Sequence, residues 1–123
     1  AGLGKSAFIG IGGDPVIGTT TREALKCLDE DQKTKAVFIL GEIGGSMEEH
    51  AAEYAATMRK PIVSFIAGGA APEGKKMGHA GAIVSGNKGT FPSKREALEK
   101  AGVRMIDTPF DAGAAMLDAL KTA

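Results

Sequence analysis

The sequence of 123 residues predicts an α/β fold built on an open parallel sheet, and three features lead to this prediction. Short apolar runs recur along the chain, glycine clusters follow most of them, and helical patterns with start signals lie between them. Continuous runs of β-branched and aromatic residues are typical of strands buried on both faces, as in parallel sheets. Their alternation with helices is typical of right-handed βαβ units.

The predicted elements alternate from the first apolar run onwards. The predicted strands are residues 7–9, 36–40, 62–66 and 103–106. Three helix starts have the spacing of a capping box, in which a hydroxyl precedes a carboxylate by three residues: Thr20 with Glu23, Ser46 with Glu49, and Ser93 with Glu96. A fourth helix is expected after Thr108, because Pro109 suits a first helical position. Residues 67–92 interrupt the alternation, and loops of this length are usually functional.

Composition excludes several classes of protein. Fifteen basic residues balance fifteen acidic ones, so the net charge is zero and there is no basic excess to indicate a nucleic-acid partner. No apolar run is long enough to span a membrane, so no membrane partner is expected. The single cysteine, Cys27, allows no disulfide within the chain and is interpreted as a packed structural thiol.

The glycine clusters predict where a ligand would bind. In an open parallel sheet, ligands bind beyond the carboxyl ends of the strands, where glycines let backbone amides approach an anion. Three pairs are expected at that edge: Gly12 with Gly13, Gly44 with Gly45, and Gly68 with Gly69. Each pair alone is explained more simply by a tight turn, whereas the set favours a binding edge.

His79 and Glu42 are the candidate catalytic residues. His79 lies among small residues in the long loop, and a neutral imidazole is a competent nucleophile near neutral pH. An unimportant surface histidine explains the same pattern equally well. Glu42 follows a predicted strand and could orient the imidazole, although a solvated loop glutamate is the slightly favoured alternative. His50 is expected on an exposed helix face, and no residues stand at the spacing of metal ligands, so no metal site is expected in this chain.

Four segments together resemble a known family. They are residues 10–15 (GIGGDP), 41–46 (GEIGGS), 71–83 (APEGKKMGHAGAI) and 88–90 (KGT), in one order and at matching spacing. The set resembles the C-terminal, ligase-CoA domain of the α subunit of succinyl-CoA synthetase (succinate–CoA ligase) over essentially the whole chain. Each glycine-rich piece is weak by itself, but the set is highly specific.

The resemblance implies a fold and a set of site residues. The family domain is a flavodoxin-like, three-layer parallel sheet, and here its first strand and helix are missing, so residues 1–123 are expected to be a fragment of a longer α subunit. His79 matches the histidine that the family phosphorylates transiently, and Glu42 matches the glutamate that orients it. The glycines expected in the phosphate and substrate loops are Gly44, Gly45, Gly78 and Gly81.

The resemblance also implies substrates, partners and location. CoA, ATP or GTP and Mg²⁺ are expected to bind mostly outside this chain, on a β subunit and on an N-terminal CoA-binding portion of the α subunit. The reaction forms succinyl-CoA from succinate, and the chain alone is expected to be inactive. The expected location is the bacterial cytoplasm, or the mitochondrial matrix in a eukaryote. Alternatives are a malate- or citrate-activating CoA ligase and a non-catalytic, flavodoxin-like interaction module.

Overall fold

The computed structural model of the chain describes residues 1–70 and 89–121. Helices and strands alternate within these two ranges. In chain order they are α1 (Thr21–Glu30), β1 (Val37–Glu42), α2 (Met47–Ala55), β2 (Ile62–Ala67), α3 (Phe91–Lys100), β3 (Arg104–Met105), a 3₁₀ turn (Pro109–Asp111) and α4 (Ala112–Lys121). The predictions that fall on residues 71–88 lie outside the described residues.

The three described strands form one parallel sheet in the order β1-β2-β3. Val37 pairs with Ile62 and Glu42 with Ala67, so β1 and β2 end at the same level. Strand β3 is short and pairs beside Val63 and Ser64. The predicted open α/β sheet is therefore confirmed.

The two faces of the sheet have separate cores. Helices α1, α2 and α3 pack on one face around Leu25, Ile39 and Leu98. Helix α4 packs on the other face, where Ala115 and Ala119 contact Val63. Burial of this apolar surface is the main force that holds the three layers together.

The predicted strand at residues 7–9 is wrong. These residues form no strand, and Phe8 is 87% exposed. The hydroxyls of Ser6 and Thr34 form a hydrogen bond of 2.7 Å just before this segment. A strand needs a hydrogen-bonded neighbour, and within the described ranges β1 pairs only with β2. A run of three apolar residues therefore does not join the sheet.

Two of the predicted capping boxes are also wrong. Thr20 and Glu23 form the box as predicted: the Thr20 hydroxyl accepts from the Glu23 amide, and the Glu23 carboxylate accepts from the Thr20 amide. Ser46 makes no side-chain cap. Helix α3 begins earlier than predicted, because Thr90 caps it and Ser93 lies inside it.

The helical side chains outside the core differ partly from expectation. Cys27 is exposed, so its interpretation as a packed thiol is wrong. His50 is exposed, as predicted. Pro109 starts a 3₁₀ turn that leads into α4, as its position after Thr108 indicated. Among the helices that the structure describes, none is long and apolar enough to cross a membrane.

Strand β1 has one apolar face that the described residues leave partly open. Val37 and Ile39 are buried under the helices, but Leu40 is 69% exposed and Phe38 is also exposed on the opposite face. The register places these two side chains beside Val63 and Phe65, which α4 covers. Helix α4 thus covers β2 and leaves Leu40 of β1 largely exposed.

Candidate functional site

The candidate site lies at the carboxyl ends of β1 and β2. Strand β1 ends at Glu42 and β2 at Ala67, and the Ile43 amide joins the two by donating to the Ala67 carbonyl at 3.1 Å. Helices α2 and α3 both begin at this edge, so their partly positive N-termini lie there. We call this region the carboxyl edge.

Glu42 is positioned by its backbone. It is half-buried, and its amide donates to the Glu48 carboxylate at 3.3 Å. Gly41 makes this contact possible, since a Cβ at that position would lie 2.5 Å from Glu48 Oε1 and 2.7 Å from Ile66 Cδ1. A side chain at position 41 would therefore push Glu48 away from Glu42.

A glycine contact joins the start of α2 to the chain before α3. The Gly44 amide donates to the Gly89 carbonyl at 2.7 Å, and Gly44 is buried. Gly89 has a φ of +76°, and a Cβ on it would meet the backbone of Gly45 and Gly44. Only glycine combines this conformation with so close an approach.

The end of β2 and the start of α3 are also in contact. A Cβ on Gly69 would lie 2.9 Å from the ring of Phe91, and one on Gly68 would lie 2.9 Å from Ile43. The chain therefore leaves residue 70 and returns at residue 89 beside the same edge. Residues 71–88, which contain His79, join these two points.

A buried ion network underlies the carboxyl edge. The Lys94 side chain is fully buried and forms an ion pair with Glu48, which is also buried. Its ammonium lies 3.9 Å from the Glu49 carboxylate. Glu49 Oε1 accepts hydrogen bonds from the Gly89 amide at 3.0 Å and from the Ser93 hydroxyl at 3.1 Å. The network thus connects α2, α3 and the glycine contact.

The structure brings together some of the predicted site residues. Glu42, Gly44 and Gly45 share the carboxyl edge, and Gly68 and Gly69 lie there as well. The candidates His79, Gly78 and Gly81 lie outside the described residues. Gly12 and Gly13 were expected at this edge because a strand was predicted before them, and that premise is wrong, since no strand precedes them.

Sequence reasoning missed the ion network. Glu48 and Glu49 lie in the first turn of α2, and Lys94 lies in the first turn of α3. Charged residues in a first turn are usually exposed, and no local signal marks these three as parts of a buried network. The sequence spacing predicts a capping box between Glu49 and Ser46, but the Glu49 carboxylate accepts hydrogen bonds from Gly89 and Ser93 instead. In residues 1–70 and 89–121, no group of three or more His, Cys, Asp or Glu is arranged to hold a metal ion.

Comparison with known proteins gives a family. The model of the CoA-ligase family matches residues 1–104. The α subunit of succinate–CoA ligase (ADP-forming) of Staphylococcus epidermidis is 51% identical over 123 residues, which is 99% of this chain and 41% of that protein. An α subunit 1 of the same description from Archaeoglobus fulgidus is 54% identical over 111 residues, which is 90% of this chain and 38% of that protein. The chain thus spans about two fifths of the length of these relatives.

Two solved structures share the fold. A mutant of the ATP citrate lyase of Methanosaeta concilii, in complex with (3S)-citryl-CoA, superposes with a TM-score of 0.75 at 25% identity. The ATP citrate lyase of Methanothrix soehngenii, in complex with citrate and coenzyme A, superposes with a TM-score of 0.74 at 25% identity. Each match covers 90% of this chain and 19% of the other.

Proposed function

Because the chain belongs to the CoA-ligase family, we propose that it carries the phosphohistidine of an enzyme that forms succinyl-CoA. The substrates of the whole enzyme are succinate, CoA and ATP or GTP with Mg²⁺. His79 is the residue that carries the phosphoryl group, and Glu42 orients it. The glycines Gly44, Gly45, Gly78 and Gly81 belong to the loops that approach phosphate and substrate.

The proposed reaction runs in three balanced steps. A ring nitrogen of His79 attacks the terminal phosphorus of the nucleotide, so an N–P bond forms as the P–O bond to the nucleoside diphosphate breaks. The phosphoryl group then passes to a succinate carboxylate, which gives an acyl phosphate and frees the imidazole. The CoA thiolate finally attacks the acyl carbon, and inorganic phosphate leaves as the thioester forms.

One structural observation carries this proposal. The segment that contains His79 connects residue 70 to residue 89, and the neighbouring Gly69 and Gly89 both lie at the edge where β1 ends in Glu42. A histidine in this segment is therefore tethered at both sides to the edge that holds the carboxylate. A carboxylate that accepts one imidazole N–H fixes the tautomer, which leaves the other ring nitrogen free to attack phosphorus.

Phosphate labelling of the assembled enzyme tests the nucleophile. The full α chain and its β subunit are incubated with γ-labelled ATP or GTP and Mg²⁺, and acid-labile, base-stable label on the α chain is measured. We expect label on the wild type and none on His79→Asn. The matched control is His50→Asn, because His50 is the other histidine of the chain and is exposed on α2. Label that survives in His79→Asn contradicts the assignment.

The role of Glu42 has its own test. We expect Glu42→Gln to slow labelling by roughly 100-fold, the size of effect that a small misplacement of a reacting group produces. The variant should still unfold cooperatively, because Glu42 is only half-buried and its amide contact does not depend on its side chain. Loss of cooperative melting would assign Glu42 a structural role instead.

The same proposal makes residues 1–123 a ligase-CoA domain within a longer α subunit. Its partners are the β subunit, which binds the nucleotide, and an N-terminal CoA-binding portion of the α chain. The open apolar face at Phe38 and Leu40 supports this proposal, because a further segment or chain would cover it. Hydrogen exchange tests it: the β1 amides should be better protected in the assembled enzyme than in this chain alone.

A citrate-activating ligase is the second candidate. Two solved structures that share this fold are ATP citrate lyases, each at 25% identity. The succinate–CoA ligase relatives are 51% and 54% identical over most of the chain, so we favour succinate. The substrate test compares thioester formation by the assembled enzyme with succinate, malate and citrate.

A further inference from the structure

We infer that Glu48 and Glu49, held by the buried Lys94, are positioning residues for phosphoryl transfer, an inference that rests on the proposed role of His79. The Glu48 carboxylate accepts from the backbone amide of Glu42, and the Glu49 carboxylate accepts from the backbone amide of Gly89, which directly follows the segment that contains His79. The network thus sets the distance between the orienting glutamate and one end of that segment.

The burial of Lys94 suggests a role beyond stability. Its side chain is only 1% exposed, and the side chain of its partner Glu48 is 8% exposed. Removing two charges from water costs about as much as their attraction returns, so a buried ion pair is weak support for a purely stabilising role. The burial of this pair at the edge of the candidate site is better explained by the backbone segments that the Glu48 and Glu49 carboxylates hold in place.

Glu48 holds the chain at Glu42. Its Oε1 accepts from the Glu42 amide at 3.3 Å, while the carboxylate pairs with Lys94. The absence of a side chain at Gly41 leaves the space for this contact, as the 2.5 Å approach of a Cβ there to Glu48 Oε1 indicates. A displacement of Glu48 would therefore remove a hydrogen bond that holds the backbone at Glu42.

Glu49 holds the chain at Gly89. Its Oε1 accepts from the Gly89 amide and from the Ser93 hydroxyl. Its other oxygen, Oε2, is buried without a hydrogen-bond partner among the described residues and faces the Lys94 ammonium at 3.9 Å. The charge of Lys94 and the N-terminus of α2 hold this carboxylate in place. The Gly89 carbonyl in turn accepts a hydrogen bond from the Gly44 amide, so the backbone at Glu42, Gly44 and Gly89 is linked through one network.

The consequence for the reaction is a matter of rate rather than of binding. Reacting groups lose rate steeply when they are displaced, and Glu48 and Glu49 fix both Glu42 and Gly89. Neither carboxylate takes part in the chemistry. In the proposed enzyme the nucleotide binds on the β subunit, so a loosened network should slow phosphoryl transfer and leave the apparent KM for the nucleotide unchanged.

The test uses the full α chain assembled with its β subunit and measures the single-turnover rate of labelling with γ-labelled ATP or GTP. Glu49→Ala removes the acceptor for Gly89 and Ser93, and we expect the rate to fall between about tenfold and a hundredfold. Glu49→Gln keeps a carbonyl oxygen that can accept both bonds but loses the attraction of the carboxylate to Lys94, and we expect a rate between those of the wild type and Glu49→Ala. The nucleotide KM should stay unchanged in both.

The matched control is Glu53→Ala on the same helix. Glu53 is an exposed partner of Arg22 at 2.9 Å and has no part in the network, so this variant should label at the wild-type rate. A wild-type rate in Glu49→Ala overturns the inference, and so does an equal loss in Glu49→Gln and Glu49→Ala. Absence of label on the wild type, or label on His79→Asn, overturns the proposed function instead, so the two failures are distinguishable.

Discussion

The two ends of the sheet each contain a lysine that reaches across elements, but the two lysines hold different partners. At the carboxyl edge, Lys94 is buried and binds carboxylates that in turn hold the backbone of other segments. At the amino end, Lys60 donates to the carbonyls of Leu28, Asp29 and Asp31 at 2.8, 2.6 and 2.6 Å. Lys60 thus caps the C-terminus of α1, where cations are favoured.

Each end also has a glycine with a positive φ. Gly89 at the carboxyl edge lies against the backbone of Gly44 and Gly45. Gly102 follows α3 at the amino end with a φ of +80°, and no described atom lies within 4 Å of where its Cβ would be. Gly102 only ends a helix, whereas Gly89 brings two segments together. The comparison teaches that Lys60 and Gly102 at the amino end contribute to stability alone, whereas Lys94 and Gly89 at the carboxyl edge contribute to stability and also fix the geometry of the candidate site.

The largest expected effect is that of Lys94→Met. It leaves Glu48 buried without its ion-pair partner, and we expect a loss of about 3–5 kcal/mol in the free energy of unfolding. Denaturant unfolding measures this loss. The double variant Lys94→Met/Glu48→Gln should recover part of it, because the second change removes the uncompensated charge. A loss below about 1 kcal/mol in Lys94→Met would contradict the importance of the pair.

Alanine at the two glycines gives the next effect. Gly89→Ala combines a strained φ with a collision against backbone, and we expect a loss of at least about 2 kcal/mol and slower labelling of the assembled enzyme. Gly102→Ala has the strain without the collision, so a loss of about 1 kcal/mol and an unchanged labelling rate are expected. If Gly89→Ala and Gly102→Ala lost the same unfolding free energy and labelled at the same rate, the proposed difference between the two ends of the sheet would be wrong.

Lys60→Met should have a smaller effect. It removes charged hydrogen bonds to three carbonyls at the end of α1, and we expect a loss of about 1–2 kcal/mol in the free energy of unfolding. The labelling rate of the folded enzyme should not change, since Lys60 is remote from Glu42 along the strands. A slowed phosphoryl transfer in this variant would show that the amino end also controls the site.

The smallest effect concerns pH at the amino end. The hydrogen bond from the Thr34 hydroxyl, and next the one from the Lys33 amide, hold the pKa of Asp31 below its ordinary value of 3.8. The stabilisation by ionised Asp31 is therefore present above that value and is lost as the pH falls through the lowered pKa. Asp31→Asn should make unfolding less sensitive to acid below about pH 4. An unchanged acid dependence would contradict this account.

The parts of the fold that the sequence predicted are those set by local pattern. The apolar runs at β1 and β2 predicted strands within two residues of those observed, and Thr20 with Glu23 predicted the start of α1. These features depend on burial of a continuous run and on hydrogen bonds between near neighbours, so the local sequence contains the required groups.

The predictions that failed depend on partners remote in the chain. Residues 7–9 have an apolar pattern but find no strand beside them in the described ranges. Glu49 has the spacing of a cap to Ser46, yet it binds Gly89, forty residues further along. Cys27 was placed in the core by its neighbour Leu28 and is exposed. A local pattern shows neither the remote partner that Glu49 binds nor which apolar side chains stay exposed.

Glycine position and strand pattern were enough to place Glu42 at the carboxyl edge, since a residue at the carboxyl end of a buried parallel strand can only lie there. The buried pairing of Lys94 with Glu48, and the hold of Glu49 on Gly89, became visible only in the folded arrangement. The physical reason is that a charged side chain in the first turn of a helix can be either exposed to solvent or buried, and the local sequence is the same in both cases. The choice depends on whether an opposite charge from another element arrives beside it.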